Sequence, residues 1–266
     1  MKVWAVANQK GGVGKTTTTV TLAGLLAKQG KRVLLIDLDP QGSMTSYFQY
    51  NPDTIKSSIY NIFRLQRPAT KKDMQNILVD TSIKGVKLAP ASLLLATLER
   101  SVQTKDGMGL VISRALSVID DEFDYVIIDN PPLLGVLMIN SLAACDRLLI
   151  PVQTEFLAIK GLERMVRTLT MVIRSRGHEF NYTIVPTMFD RRTQASQVSL
   201  RTLRNVYAEH IWKSMIPVDT KFRDASKLGV APSELSANAR GVIAYESLLN
   251  QLLEADRVVS RNAVHA

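Results

Sequence analysis

The residues most able to do chemistry are Gly11-Gly12-Val13-Gly14-Lys15-Thr16, a run of glycines that closes on a lysine and a threonine. In such a run glycines let successive backbone N–H groups turn inward and cradle phosphate oxygens at a helix N-terminus. Lys15 would neutralise the outer phosphates, and Thr16 would coordinate Mg²⁺ through its hydroxyl. The common spacing, Gly, four residues, then Gly-Lys-Ser/Thr, is not met: no glycine stands at its first position, and Lys10 sits near that place. Three aspartates complete the set. Asp37 and Asp39 end one apolar run and share a side of the strand, because strand side chains alternate with period two. Asp129 ends another run, where a carboxylate can hold Mg²⁺ through a water.

Positioning these groups requires strands that end on them. Lys2 to Ala7 reads as a strand that leads into the glycine run, with a helical pattern following from Thr16 to Lys28. Val33–Ile36, Tyr125–Ile128, Arg147–Ile150 and Tyr182–Val185 are short and mostly apolar, as strands buried on both faces are. Helical patterns lie between and after them at Ser92–Gln103, Leu110–Ile119, Leu157–Ile173, Gln194–Glu209 and Val242–Val258. Strands alternating with helices imply a mostly parallel, twisted sheet with helices on both faces and ligands at the strands' carboxyl ends. The turn-rich stretch Tyr50 to Lys72 reads as surface excursions between short helices, and Ser260 to Ala266 as a frayed tail.

A chain of 266 residues with 46% apolar content suits one domain spanning residues 1–266. No apolar run approaches the roughly 18 residues of a membrane span, so a cytoplasmic location is expected. Cys145 is the only cysteine, which excludes an internal disulfide, a thiolate-paired zinc site and a cysteine-held cluster. The net charge of +9 points toward a polyanionic partner, and the excess is concentrated between Lys160 and Lys227, with 13 Lys and Arg against 6 Asp and Glu.

The run from Lys10 to Thr17, with a lysine ahead of Gly-Gly-Val-Gly-Lys-Thr, resembles the deviant Walker A loop of the ParA/MinD family of positioning ATPases. Val33 to Gly42 is similar to the family's second motif, and Asp124 to Gly135 to its Walker B segment. Thr187 to Arg191, Ile216-Pro217 and Asp224-Ala225 resemble later signatures, so the likeness extends from Met1 to Leu253. It implies a single P-loop NTPase domain that binds ATP and Mg²⁺, and a homodimer in the ATP state. Gly11, Gly12, Val13, Gly14, Lys15, Thr16 and Thr17 would then hold the nucleotide, and Lys10 would reach the nucleotide of the other subunit. Asp39 would position the attacking water, Asp37 would lie near the magnesium shell, and Thr16 and Asp129 would hold the ion. Met188, Asp190 and Pro217 are the candidates for base contacts.

Three functions compete within this resemblance. A ParA-type protein would bind DNA without sequence preference through Arg191, Arg192, Arg201, Arg204, Lys221, Arg223 and Arg240. Against it stands Val218, where chromosome-partition relatives commonly carry arginine after Ile-Pro. A MinD-like protein would hold the membrane with a terminal amphipathic helix, but Ser247 to Val259 sets Glu254 and Asp256 beside only Arg257, which fits core packing better. A redox relative needs cysteine pairs, which are absent. Within the ParA class, Val3–Gln9 and Gly42–Phe48 look closest to the ParC-like branch that positions chemotaxis arrays. That branch implies an array protein as partner and a polar location. The alternative, chromosome or plasmid partition, implies a ParB-like or other cargo adaptor that triggers slow hydrolysis, and association with the nucleoid.

Overall fold

The computed structural model describes residues 1–100, 108–176 and 181–264. In chain order its elements are β1 (Lys2–Val6), α1 (Lys15–Lys28), β2 (Val33–Asp37), α2 (Ser43–Tyr47), α3 (Ile59–Phe63), α4 (Lys71–Ile77), β3 (Val79–Asp80), β4 (Val86–Ala89) and α5 (Leu95–Arg100). There follow a 3-10 turn (Met108–Leu110), α6 (Val111–Ser117), β5 (Tyr125–Asp129), α7 (Val136–Ala144), β6 (Arg147–Gln153), α8 (Phe156–Arg176) and β7 (Tyr182–Thr187). The chain ends with α9 (Gln194–Val206), α10 (Lys221–Leu228), α11 (Pro232–Leu235) and α12 (Arg240–Val264).

The seven strands form one sheet in the order β3-β4-β2-β5-β1-β6-β7. Every pairing is parallel except that of β3 with β4 at the edge. Side-chain alternation splits the apolar strands between two layers: Trp4, Val6, Leu35 and Ile127 pack toward α1 and α12, whereas Val3, Ala5, Leu34 and Ile128 face the opposite layer. Both faces are covered, as the continuous apolar runs require.

Several boundaries differ from the sequence reading. β3 and β4 were not anticipated, because β3 has two residues and exposed Lys87 interrupts the apolar pattern of β4. Tyr50 to Lys72 is more than surface: Ile59, Ile62 and Phe63 of α3 are buried, spaced three and four apart on one helical face beneath a Ser58–Asn61 capping box. The Ser92–Gln103 helix begins only at Leu95, after a turn closed by Leu95 N–H on the Ser92 carbonyl, and residues 101–103 of that span lie outside the described residues. α9 stops at Val206, short of Glu209. α12 runs on through Val264, where the sequence holds no Gly or Pro to stop a helix; residues 265–266 of the expected frayed tail lie outside the described residues.

The C-terminal helix is clamped to the sheet by a buried network. Arg147 on β6 donates from Nη2 to Asp256 Oδ1 at 2.9 Å and from Nη1 to Thr183 at 3.4 Å, while the indole N–H of Trp4 donates to Asp256 Oδ2 at 3.1 Å. Leu248, Leu249 and Leu252 are buried against the same layer, so the apolar stripe of α12 is core. Among the described residues no helix is long and apolar enough to cross a membrane. Asp256→Ala strands a buried guanidinium and an indole N–H, and is expected to lower the unfolding free energy by about 3 to 5 kcal/mol in a urea titration.

Candidate functional site

The glycine run lies at the carboxyl end of β1, between β5 and β6 in the sheet. Gly12 and Gly14 have φ of +73° and +94°, a left-handed backbone that glycine adopts without strain. Gly14 is the N-cap of α1 and offers no side-chain acceptor, and the first turn contains no acidic residue. The amides at the start of α1 therefore face outward with the positive end of the helix dipole, ready for an anion. The loop is held from three sides. Thr187 at the end of β7 donates to the Val13 carbonyl at 2.8 Å, Asn8 Nδ2 donates to the Pro151 carbonyl at 2.7 Å, and Asn8 Oδ1 accepts from Lys10 N–H at 2.9 Å.

Strand register brings the aspartates together: Asp37 pairs directly with Asp129, and Asp129 with Val6 at the end of β1. Both carboxyls are buried. Asp37 Oδ2 accepts from the Thr45 backbone N–H at 2.8 Å and from its hydroxyl at 2.7 Å. Burial nonetheless pushes Asp37 up to about 7. Burial, reinforced by the neighbouring Asp37, pushes Asp129 up to about 8. Asp39 is raised by burial, opposed by the Gln41 N–H and by the charge of Lys15.

Thr16 donates to Asp129 Oδ2 at 2.6 Å, while Asp129 Oδ1 is buried with no partner among the described residues. An orphaned carboxylate oxygen beside a threonine hydroxyl fits a hydrated divalent cation. No group of three or more His, Cys, Asp or Glu able to hold a metal occurs among the described residues. A cation here would take its remaining ligands from phosphate and water, as Mg²⁺ does.

A cavity of about 540 Å³ adjoins the loop, lined by Gly14, Thr17, Met188, Pro217, Phe222 and Tyr245 among others. It contains two of the three residues expected at the base. Asp190 is not one of them: it is bound by Arg192 at 2.7 Å, which holds its carboxyl down to about 2. Met188 takes φ of +52°, uncommon for a residue with a side chain and a mark of strain at sites of this kind. Tyr245 was missed because it lies on α12 far along the chain, yet its hydroxyl meets Thr18 Oγ1 at 2.7 Å and its ring meets Phe222 edge-on. A second cavity, between α8 and α9, holds none of the expected site residues.

The basic candidates divide. Arg191, Arg201, Arg223 and Arg240 are exposed and form no ion pair among the described residues, and Arg223 also lines the cavity. Arg192 is committed to Asp190, and Lys221 to Asp224 at 3.3 Å. Arg204 departs from the expectation of a surface cation: it is half-buried, and its Nη2 donates to the Lys213 carbonyl. Lys10 pairs with Glu155 of its own chain, both side chains about a third exposed.

The fold and this loop define a P-loop nucleoside triphosphatase. A family profile described as an AAA domain matches residues 1–182. The chain is 32% identical to the sporulation initiation inhibitor protein Soj of Bacillus subtilis, covering 94% of this chain and 98% of that protein. It is 31% identical to the chromosome partitioning protein ParA of Myxococcus xanthus, covering 96% and 89%. A cobyrinic acid a,c-diamide synthase from Mycobacterium smegmatis, solved with an ATP analog and magnesium, superposes with a TM-score of 0.81 at 34% identity over 97% of this chain and 96% of that one. An ATP complex of McdA from Cyanothece shares the fold at a TM-score of 0.81 and 22% identity, with 96% of each chain covered. The chain belongs to the ParA/MinD family of deviant Walker A ATPases.

The raised carboxyls make a pH prediction. A folded pKa above the unfolded value contributes stability that is complete below about pH 4 and is lost as pH rises through the folded pKa. The ligand-free protein should therefore lose stability between pH 6 and 8.5, and Asp129→Asn should remove about 1 to 2 kcal/mol of that loss in urea titrations at the two pH values.

Proposed function

We propose that this chain is a ParA-type partition ATPase, whose ATP-bound dimer holds DNA and releases it after hydrolysis. The observation that carries the reading is the convergence of Lys15, the uncapped start of α1 and three carboxyl groups at the carboxyl ends of the central strands, with Lys10 in the same glycine loop. Lys15 neutralises the outer phosphates, and the amides from Gly12 to Thr17 bind their oxygens. Thr16, with Asp129 behind it and Asp37 alongside, would hold Mg²⁺, which would supply positive charge to offset that of the phosphates. Asp39 orients the attacking water. Met188 and Pro217 pack against the base.

Lys10 reaches the nucleotide of a second copy in this reading. Its present partner, Glu155, does not prevent that, because an ion pair with both members a third exposed is worth about 0 to 1 kcal/mol, less than a phosphate contact offers. Hydrolysis is slow and triggered by a ParB-like adaptor. The DNA contacts fall on Arg191, Arg201, Arg223 and Arg240, the candidates named above that are exposed and form no ion pair among the described residues.

Positioning of chemotaxis arrays is the second reading, favoured by Val3–Gln9 and Gly42–Phe48. Trp4, Met44, Tyr47 and Phe48 in those segments are buried, however, so what distinguishes them is packing and not a docking surface. Among the relatives named above, the chromosome partitioning protein ParA of Myxococcus xanthus supports partition of DNA. Deleting the gene separates the two: misplaced replication origins or lost plasmids support partition, and scattered chemoreceptor clusters with normal DNA inheritance support the other.

Lys15→Ala is expected to abolish nucleotide binding, measured by titration with a fluorescent ATP analogue; unchanged affinity would remove the phosphate-loop assignment. Asp39→Ala should bind ATP and accumulate as a dimer by light scattering, with hydrolysis reduced at least about a hundredfold. DNA binding by that dimer should weaken with salt by a slope of about −0.9 for each arginine in contact. Replacing Arg191 and Arg201 together should flatten the slope, whereas a slope that they leave unchanged would place the interface elsewhere.

A further inference from the structure

The loop from Asn130 to Gly135 joins the Asp129 carboxylate to α7, and its two ends are fixed by different devices. At the near end Asn130 Nδ2 donates to the Val6 carbonyl at 3.1 Å and to Ser141 Oγ at 2.9 Å. At the far end α7 has no cap of its own: Gly135 carries no side chain, and the first turn has no acidic residue. The acceptor comes instead from α5. Glu99 Oε1 accepts from Leu137 N–H at 3.1 Å, and a carboxylate there also meets the positive end of the helix dipole.

Gly135 takes part by what it lacks. A Cβ at that position would fall on the Glu99 carboxyl group. The backbone at Gly135 is extended, with φ of −121°, so an alanine would be allowed there by conformation and opposed only by Glu99. The middle of α7 is tied separately, since Asn140 accepts from Ile112 N–H at 3.2 Å and donates to the Met108 carbonyl at 2.6 Å. Glu99 is thus the side chain that fixes where the loop ends and α7 begins, without touching the body of the helix.

We propose that Glu99 is a positioning residue for ATP hydrolysis: its carboxylate, seated over Gly135, holds the loop that runs from Asp129 to α7 at the setting the reaction needs. The inference rests on the ATPase reading above. Glu99 touches neither phosphate nor metal site; it acts through the loop, whose exposed Leu133 shows how little else covers the middle of the segment.

The test is steady-state ATPase kinetics on five purified proteins: wild type, Glu99→Ala, Glu99→Gln, Gly135→Ala and the double variant Glu99→Ala/Gly135→Ala, the cycle's last corner. Glu99→Ala should lower kcat about tenfold and leave KM for ATP within about twofold, because a shifted loop harms the transition state more than nucleotide binding. Glu99→Gln keeps an oxygen for the Leu137 amide and should retain at least about half the activity. Gly135→Ala evicts the same carboxyl group, so it should match Glu99→Ala, and the double variant should be no worse than either. Unchanged kcat in Glu99→Ala, an equal loss in Glu99→Gln, or losses that multiply in the double variant would each overturn the proposal. A wild-type protein that binds ATP and Mg²⁺ without hydrolysing it overturns the ATPase reading instead.

Discussion

Asp37 and Asp129 stand side by side on adjacent strands where water does not reach, and two carboxylates so placed repel each other strongly. Much of the surrounding structure moderates that repulsion. α2 is a five-residue helix whose Thr45 gives both its backbone N–H and its hydroxyl to Asp37. Thr16 covers one oxygen of Asp129, and the other has no partner among the described residues. Burial raises both carboxyls in the ligand-free site, and a divalent cation held there would supply the positive charge they lack. An arrangement that costs stability on its own is suited to a task in which the stabilising partner comes and goes.

The rest of the chain brings distant segments to that edge. Thr187 on β7 and Pro151 on β6 hold the glycine loop from one side, and Tyr245 on α12 meets Thr18 in the helix that follows it. α12 is in turn locked to β1 and β6 through Asp256, Trp4 and Arg147. The last helix is therefore part of the nucleotide cavity's wall and of the core. Leu248, Leu249 and Leu252 of that helix are spent on the core, with Glu254 and Asp256 beside them in the sequence.

What could be read from the sequence was what is local. The glycine loop, the strand-end aspartates and the central strands all announce themselves through spacing and apolar runs, and the structure brings Asp37, Asp129, Thr16 and the loop into one place. What could not be read depended on partners far away in sequence. Lys87 breaks the pattern of β4 because the strand lies near the sheet edge, where one position faces water. Asp190, expected at the base, is paired with Arg192 two residues on and does not line the cavity. Arg204 counted as surface charge, but the Lys213 carbonyl holds it. Glu99 gave no signal, since a cap contributed from another helix has no fixed spacing from the helix it caps.

Lys10 shows how one side chain can belong to two arrangements without a change of fold. The Asn8 side chain fixes the backbone N–H of Lys10, so the root of the side chain is set while its ammonium remains movable. Glu155 neutralises that ammonium, and both side chains remain partly in water. Separating such a pair costs little, and the free ammonium is drawn to the most negative group within reach. Before polyphosphate binds, that group is Glu155. In the dimer proposed above, a second copy would present its own bound phosphates and the balance would tip toward them, because a charge-assisted bond in a closed interface is stronger than one at a wet surface. The weakness of the internal pair is thus what makes the lysine available, and a better-buried Lys10–Glu155 bridge would leave the loop intact yet hold its lysine at home.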